Sequence, residues 1–141
     1  MKSIKVIYWS GTGNTEEMAQ EVARGIEAAN GQAKLLEVAE VTPDSVKEDT
    51  VFALGCPAMG AEELEGDEME PFVQALEADL SGKRVGLFGS YGWGDGTWMK
   101  NWEERMKHAG AVLVCDGVMA MEAPDAEAKE ACIKLGKKLM E

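Results

Sequence analysis

Residues 6–15 read Val-Ile-Tyr-Trp-Ser-Gly-Thr-Gly-Asn-Thr, an apolar run that enters a loop of hydroxyls and glycines, with a helical pattern taking over near Glu16. This order of parts builds an anion cradle, because small residues let main-chain N–H groups converge on one point at a helix start. Ser10, Thr12 and Thr15 add hydroxyls, Asn14 adds an amide, and Gly11 and Gly13 keep the backbone open. The loop contains neither Lys nor Arg, so an anion here is held mainly by neutral dipoles. A Walker A loop starting at Gly11 requires Gly-Lys-Ser/Thr where this chain has Glu16-Glu17-Met18. A dinucleotide fingerprint requires a third Gly at position 16, which is Glu16. A single terminal phosphate suits the loop better than a di- or triphosphate.

Two later segments have the composition of ligand loops. Residues 55–62 read Gly-Cys-Pro-Ala-Met-Gly-Ala-Glu. Pro57 stiffens the entry beside Ala58, and Met59 offers a soft surface to a flat ring. Gly60 lets a peptide reorient at low cost before Ala61, and Glu62 could accept from a ring N–H. Residues 89–97 read Gly-Ser-Tyr-Gly-Trp-Gly-Asp-Gly-Thr, so glycines surround Tyr91 and Trp93. A Trp with so few neighbours in its own segment suits a flat ligand. Main-chain N–H groups from Ser90 through Gly92, Gly94 and Asp95 are placed to meet carbonyl oxygens. A monophosphate at one end and a heteroaromatic between Met59 and Trp93 describe flavin mononucleotide (FMN).

These loops need a scaffold that brings them together. Strand-like runs recur at 4–9, 33–38, 50–55, 84–89 and 111–121, several of them continuously apolar, as parallel strands covered on both faces are. Helical patterns cover 14–30, 67–80, 97–109 and 125–140, with apolar residues three or four apart on one face. A short helix starts at Thr42-Pro43-Asp44, with Thr42 as its cap. Trp98 and Trp102 lie one turn apart and belong to the core. The alternation predicts an α/β fold, one domain over 1–141 with a doubly wound five-stranded parallel sheet. Ligands bind such sheets at the carboxyl ends of the strands, where all three loops fall.

Composition narrows the function classes. A net charge of −12, from 14 basic and 26 acidic residues, disfavours nucleic acid and anionic lipid. No apolar stretch is long enough to span a membrane, and residues 1–5 show no signal-peptide core, so a cytoplasmic monomer is expected. Cys56, Cys115 and Cys132 form no Cys-x-x-Cys motif and are expected to be buried free thiols. The one histidine, His108, is expected at the surface, and a metal centre is not expected.

In combination and in this order, the segments 8–15, 56–60 and 89–96 resemble those of the flavodoxins, specifically the short-chain kind of anaerobic bacteria. The likeness extends over essentially the whole chain, and the last third lacks the insertion of long-chain members. Pro57 and Ala61 stand at positions that vary within the family. The resemblance implies strand order 2-1-3-4-5 and a tightly but non-covalently bound FMN. It also implies low-potential one-electron transfer, mainly between neutral semiquinone and anionic hydroquinone, without a substrate of the protein's own. Trp93 is then expected to stack on the ring and Glu62 to meet N3. The carbonyl of the Met59-Gly60 peptide is expected to turn toward N5 on reduction. Glu62, Glu63, Glu65, Asp67, Glu68 and Glu70, with Asp95 opposite, are expected to disfavour the reduced anion and to attract redox partners with basic docking surfaces.

Three other readings are weaker. A receiver domain requires acidic residues after the first strand and an Asp ending the third, where this chain has Ser10-Gly11 and Cys56-Pro57. An FMN-dependent reductase requires a pyridine-nucleotide site, for which no segment is left over. A non-redox FMN-binding protein is the third alternative.

Overall fold

The computed structural model describes residues 2–141. The order of elements is β1 (Ser3–Tyr8), α1 (Asn14–Ala28), β2 (Gln32–Glu37), β3 (Val51–Gly55), α2 (Met69–Leu76), β4 (Arg84–Tyr91), α3 (Thr97–His108), β5 (Val112–Leu113), β6 (Val118–Met121) and α4 (Ala126–Leu139). The strands form one parallel sheet in the order β2-β1-β3-β4-β5, and β6 also pairs with β4.

Every residue of β3 is buried, because helices cover both faces of the sheet. On one face Phe72, Leu76, Trp98, Trp102 and Met106 of α2 and α3 pack against Phe52, Leu54 and Leu87. On the other, Met18, Val22, Ile26, Cys132, Leu135 and Leu139 of α1 and α4 pack against Ile4, Val6 and Ala53. Each fully buried side chain of this size contributes roughly 1.5–3 kcal/mol. The helical periodicity in the sequence therefore marks the inward face of each helix. The pattern over 67–80 is less regular than expected: α2 ends at Leu76 and Glu77–Asp79 form a 3-10 turn. The short helix after Thr42 is also 3-10, and the Thr42 side chain accepts from the Ser45 amide.

The run 111–121 is not a single strand. Val85 pairs with Leu113 and Phe88 with Val118, so three steps along β4 correspond to five on its neighbour. Residues 114–117 leave the ladder, and the Gly117 amide donates to the Glu103 carboxylate at 2.6 Å. The Asp116-Gly117 pair was the turn signal inside the apolar run. Cys115, which lies in this excursion, is only partly buried, whereas Cys56 and Cys132 are fully buried. His108 is exposed at the end of α3. No helix among the described residues is long and apolar enough to cross a membrane.

Helices α1 and α4 meet through glycine. A Cβ at Gly25 would lie 2.0 Å from the Ile133 carbonyl oxygen, and one at Gly136 would lie 2.1 Å from the Val22 carbonyl oxygen. Alanine at position 136 is favoured by helix propensity by about 1 kcal/mol. Its methyl group would nevertheless collide with main chain that cannot move aside, and such overpacking costs typically 1–3 kcal/mol. Because the methyl group meets main chain rather than a movable side chain, the cost falls in the upper part of that range, and Gly136→Ala should lower the unfolding free energy by about 1–2 kcal/mol net in denaturant titration; an unchanged or higher midpoint would show that the helices separate freely.

Candidate functional site

The loops after β1, β3 and β4 meet at the carboxyl edge of the sheet around a cavity of about 590 Å³. From the first loop, Ser10, Gly11, Thr12, Asn14 and Thr15 line it. Gly13, at φ +96°, precedes α1 in a left-handed conformation that turns the chain into the helix. Asn14 and Thr15 open the helix, so no carbonyl of its own lies behind their amides. The Ser10 hydroxyl oxygen accepts from the Gly13 amide at 3.1 Å and the Glu16 amide at 3.3 Å, which leaves its proton to donate. Buried Thr15 shares a 3.1 Å hydrogen bond with Ser90, tying the first loop to the end of β4.

From the second loop, Pro57, Ala58 and Met59 line the cavity. The Ala58 amide donates to the Ser90 carbonyl at 2.9 Å, extending the β3–β4 ladder into the site. Met59 and Glu63 then close a tight loop through reciprocal bonds of 2.8 and 2.9 Å. Gly60 at φ +50° and Glu62 at φ +57° occupy left-handed positions within that loop. The Met59 carbonyl, expected to turn, is thus already held by the Glu63 amide, whereas the carbonyl of the next peptide, Gly60–Ala61, lies outside the bridge. The Glu62 carboxylate does not line the cavity; it accepts from the Gly96 amide at 3.2 Å and ties the second loop to the third.

From the third loop, Ser90, Tyr91 and Gly92 line the cavity, and Tyr91 is braced by Trp98 at a ring-centroid distance of 5.4 Å. Trp93, Gly94 and Asp95 lie beyond the lining. Trp93 is 64% exposed, because glycines on either side leave nothing in its own segment to pack against. Asp95 caps α3: hydrogen bonds from the Thr97 hydroxyl and amide hold its carboxyl below the usual range.

The cavity lining contains no Lys, Arg or His. Beyond the residues expected, it includes Trp9, Glu122 and Ala123. Trp9 was readable as the last residue before the cradle. Glu122-Ala123 follow the final strand, and the carboxyl-edge rule alone pointed to them.

A family model for flavodoxins matches residues 6–136. The chain is 46% identical to the flavodoxin of Clostridium beijerinckii over 136 residues, covering 96% of this chain and 98% of that protein. It is 45% identical to the flavodoxin of Megasphaera elsdenii over 122 residues, covering 86% of this chain and 88% of that one. The chain belongs to the flavodoxin family. The solution structure of the two-electron reduced Megasphaera elsdenii flavodoxin superposes with a TM-score of 0.88 at 43% identity, covering 96% of this chain and 97% of that one. Flavodoxins are electron-transfer proteins that bind FMN, and the cofactor is FMN. The lining fits it: hydroxyls and helix-start amides at one end, Met59 and Tyr91 at the other, in a volume within the usual range for ligand cavities.

The acidic stretch 62–70 of this flavodoxin divides by role. Glu63, Asp67 and Glu68 are exposed. Glu68 also accepts from the Trp9 indole N–H at 3.0 Å. Glu70 forms a two-pronged bridge to Arg105, at 2.8 and 2.7 Å, that joins α2 to α3. Glu65 is buried and accepts from the Asp67, Glu68 and Met69 amides at 2.8, 2.7 and 3.0 Å, capping α2. Burial alone would raise its carboxyl, but the three donors outweigh burial and hold it below the ordinary carboxylate value. Glu65 thus serves the loop's structure while keeping its charge, a role its position just before a helix start signalled.

A lowered folded-state value sets the sign of the pH dependence. Glu65 contributes stability that is present above its unfolded value, roughly pH 4.3, and is lost as pH falls through the lower folded value. Glu65→Gln should cost about 1–3 kcal/mol at neutral pH, because an amide cannot accept all three bonds as well. The difference from the parent should shrink below about pH 4 in thermal melts; a pH-independent difference would rule out the ionised cap.

Proposed function

We propose that this flavodoxin is a low-potential one-electron carrier whose FMN cycles mainly between neutral semiquinone and anionic hydroquinone. In this reading it is a cytoplasmic monomer and a single FMN-binding domain over 1–141, and it docks to basic redox proteins. The observation that carries it is a cofactor-sized cavity whose lining includes no cation, in a chain of net charge −12. Any negative charge arriving on the ring meets neutral dipoles and carboxylates, which makes the fully reduced cofactor a strong donor.

The residues divide the work. Ser10, Gly11, Thr12, Gly13, Asn14 and Thr15 bind the phosphate through amides and hydroxyls. Pro57, Ala58, Met59, Gly60, Ala61 and Glu62 form the inner face. Ser90, Tyr91, Gly92, Trp93, Gly94 and Asp95 form the outer face, with Trp93 folding over the ring and excluding water. Glu62 has a second carboxylate oxygen for N3 while its first holds the Gly96 amide. With the Met59 carbonyl held by Glu63, the Gly60–Ala61 peptide, which its glycine lets turn at low cost, would be the one to offer its carbonyl to a protonated flavin N5, a bond that would be worth ~1 kcal/mol net.

A Cβ at Gly60 would meet no atom within 4 Å, so Gly60→Ala tests backbone freedom without a steric clash. We expect the one-electron-reduced form to lose about fivefold in its formation constant, ~1 kcal/mol, in anaerobic photoreduction. Equal yields would refute the turning peptide. Potentiometric titration tests the carrier reading itself, which fails if the second electron enters at an ordinary free-flavin potential. Electron transfer to a basic redox protein should slow as ionic strength rises and the Debye length falls below ~10 Å. Rates indifferent to salt would remove the electrostatic docking.

A further inference from the structure

The last strand of the sheet presents an open edge inside an acidic groove. β6 pairs with β4 alone. The Glu122 amide donates to the Tyr91 carbonyl at 2.7 Å, which fixes the parity of this ladder. Val118 and Ala120 turn their main-chain groups toward β4, and Met119 and Met121 turn theirs outward. Natural edges are blunted by lysine, proline, a bulge or a covering element. The excursion 114–117, pinned by Glu103, protects only the approach to this one. Across 118–121 the edge carries no cation or proline, and the Met119 and Met121 side chains are 43% and 59% exposed.

A cavity of about 510 Å³ runs along this edge, lined by every residue from Asp116 to Met121 and walled by Ala128 and Ala131 of α4. Its charged lining residues are Asp116, Asp125 and Glu127, with no cation among them. Asp125 adds its charge to the groove while capping α4 through the Ala128 amide, which leaves Asp116 and Glu127 as the carboxylates that can be changed without removing the cap. The groove adjoins the cofactor cavity: Ala123 lines both, and the Met119 sulfur lies against Gly96 of the third loop.

We infer that this groove receives an extended, lysine- or arginine-bearing segment of a partner protein, which adds a strand beside β6. The segment's N–H and C=O groups pair with Met119 and Met121, its apolar side chains lie on the two methionines, and its cations face Asp116 and Glu127. Such docking holds a partner beside the cofactor mouth without covering Trp93. The inference adds an anchoring site to the carrier reading but requires only the edge and its charge.

The test is backbone-resolved hydrogen exchange on the FMN-loaded protein, with and without an acetylated, amidated alternating lysine–valine pentapeptide. The amides of Met119 and Met121 should exchange at least tenfold more slowly with saturating peptide. Methylating the peptide nitrogens on the ladder side should abolish that protection. Asp116→Asn combined with Glu127→Gln should weaken binding roughly threefold or more. Unchanged exchange at 119 and 121, or perturbation confined to Met59 and Trp93, overturns the proposal. So does concentration-dependent protection in the protein alone, which would make the occupant a second copy. Unchanged affinity in the double variant overturns the choice of a basic segment. The carrier reading stands or falls separately, on the potentials.

Discussion

Parallel pairing of β1 with β3 and of β3 with β4 places three strand ends side by side and leaves the chain no way back except across a face of the sheet. The returns after β1, β3 and β4 are helices, the crossover from β2 to β3 is made by short 3-10 turns, and together with α4 the helices bury both faces. The strand-to-helix loops must then all emerge at one edge, whatever their sequences. The site is a consequence of that constraint. Thr15 can meet Ser90, and Ala58 can extend toward the end of β4, only because the three strands run in the same direction and in register.

At that edge the cavity offers an anionic cofactor dipoles instead of cations. Helix-start amides and hydroxyls supply affinity for a phosphate without adding a positive charge that would also stabilise a reduced ring. The carboxylates around the cavity work in the same direction, though fewer act at long range than their number suggests. Glu70 is neutralised by Arg105, whereas Glu65 caps α2 through neutral amides and keeps its charge. The electrostatic character of the site therefore rests on Glu62, Glu63, Glu65, Asp67, Glu68, Asp95 and Glu122, together with the net charge of the whole chain.

The second and third loops depend on each other. Glu62 reaches the Gly96 amide from a left-handed backbone position, and the Met59–Glu63 bridge holds the loop that presents it. This arrangement leaves two peptides, Gly60–Ala61 and Ala61–Glu62, free of that bridge at the centre of an otherwise fastened segment, and glycine makes the first of them the easier to turn. Rigid surroundings and one low-cost rotation are what the proposed turn of the Gly60–Ala61 peptide requires.

Local features were legible in the residues themselves. The cradle at 10–15, the continuous apolar strands, the inward helix faces, and the core placement of Trp98 and Trp102 follow from periodicity, turn chemistry and the small size of glycine. Those properties act within a few residues of each other, so the chain carries them before it folds. Tertiary structure alone decided matters that depend on distant partners. It broke the final strand, because β4 offers a ladder two residues shorter between the paired positions. It turned Glu65 inward, because three amides converge there once α2 is in place. It also assigned the Met59 carbonyl to Glu63, and it put Glu122 at the cavity mouth by aligning the end of β6 with that of β4. Sequence determined which groups could bind an uncharged-lined phosphate and a flat ring; only packing determined which of those groups remain free to do so.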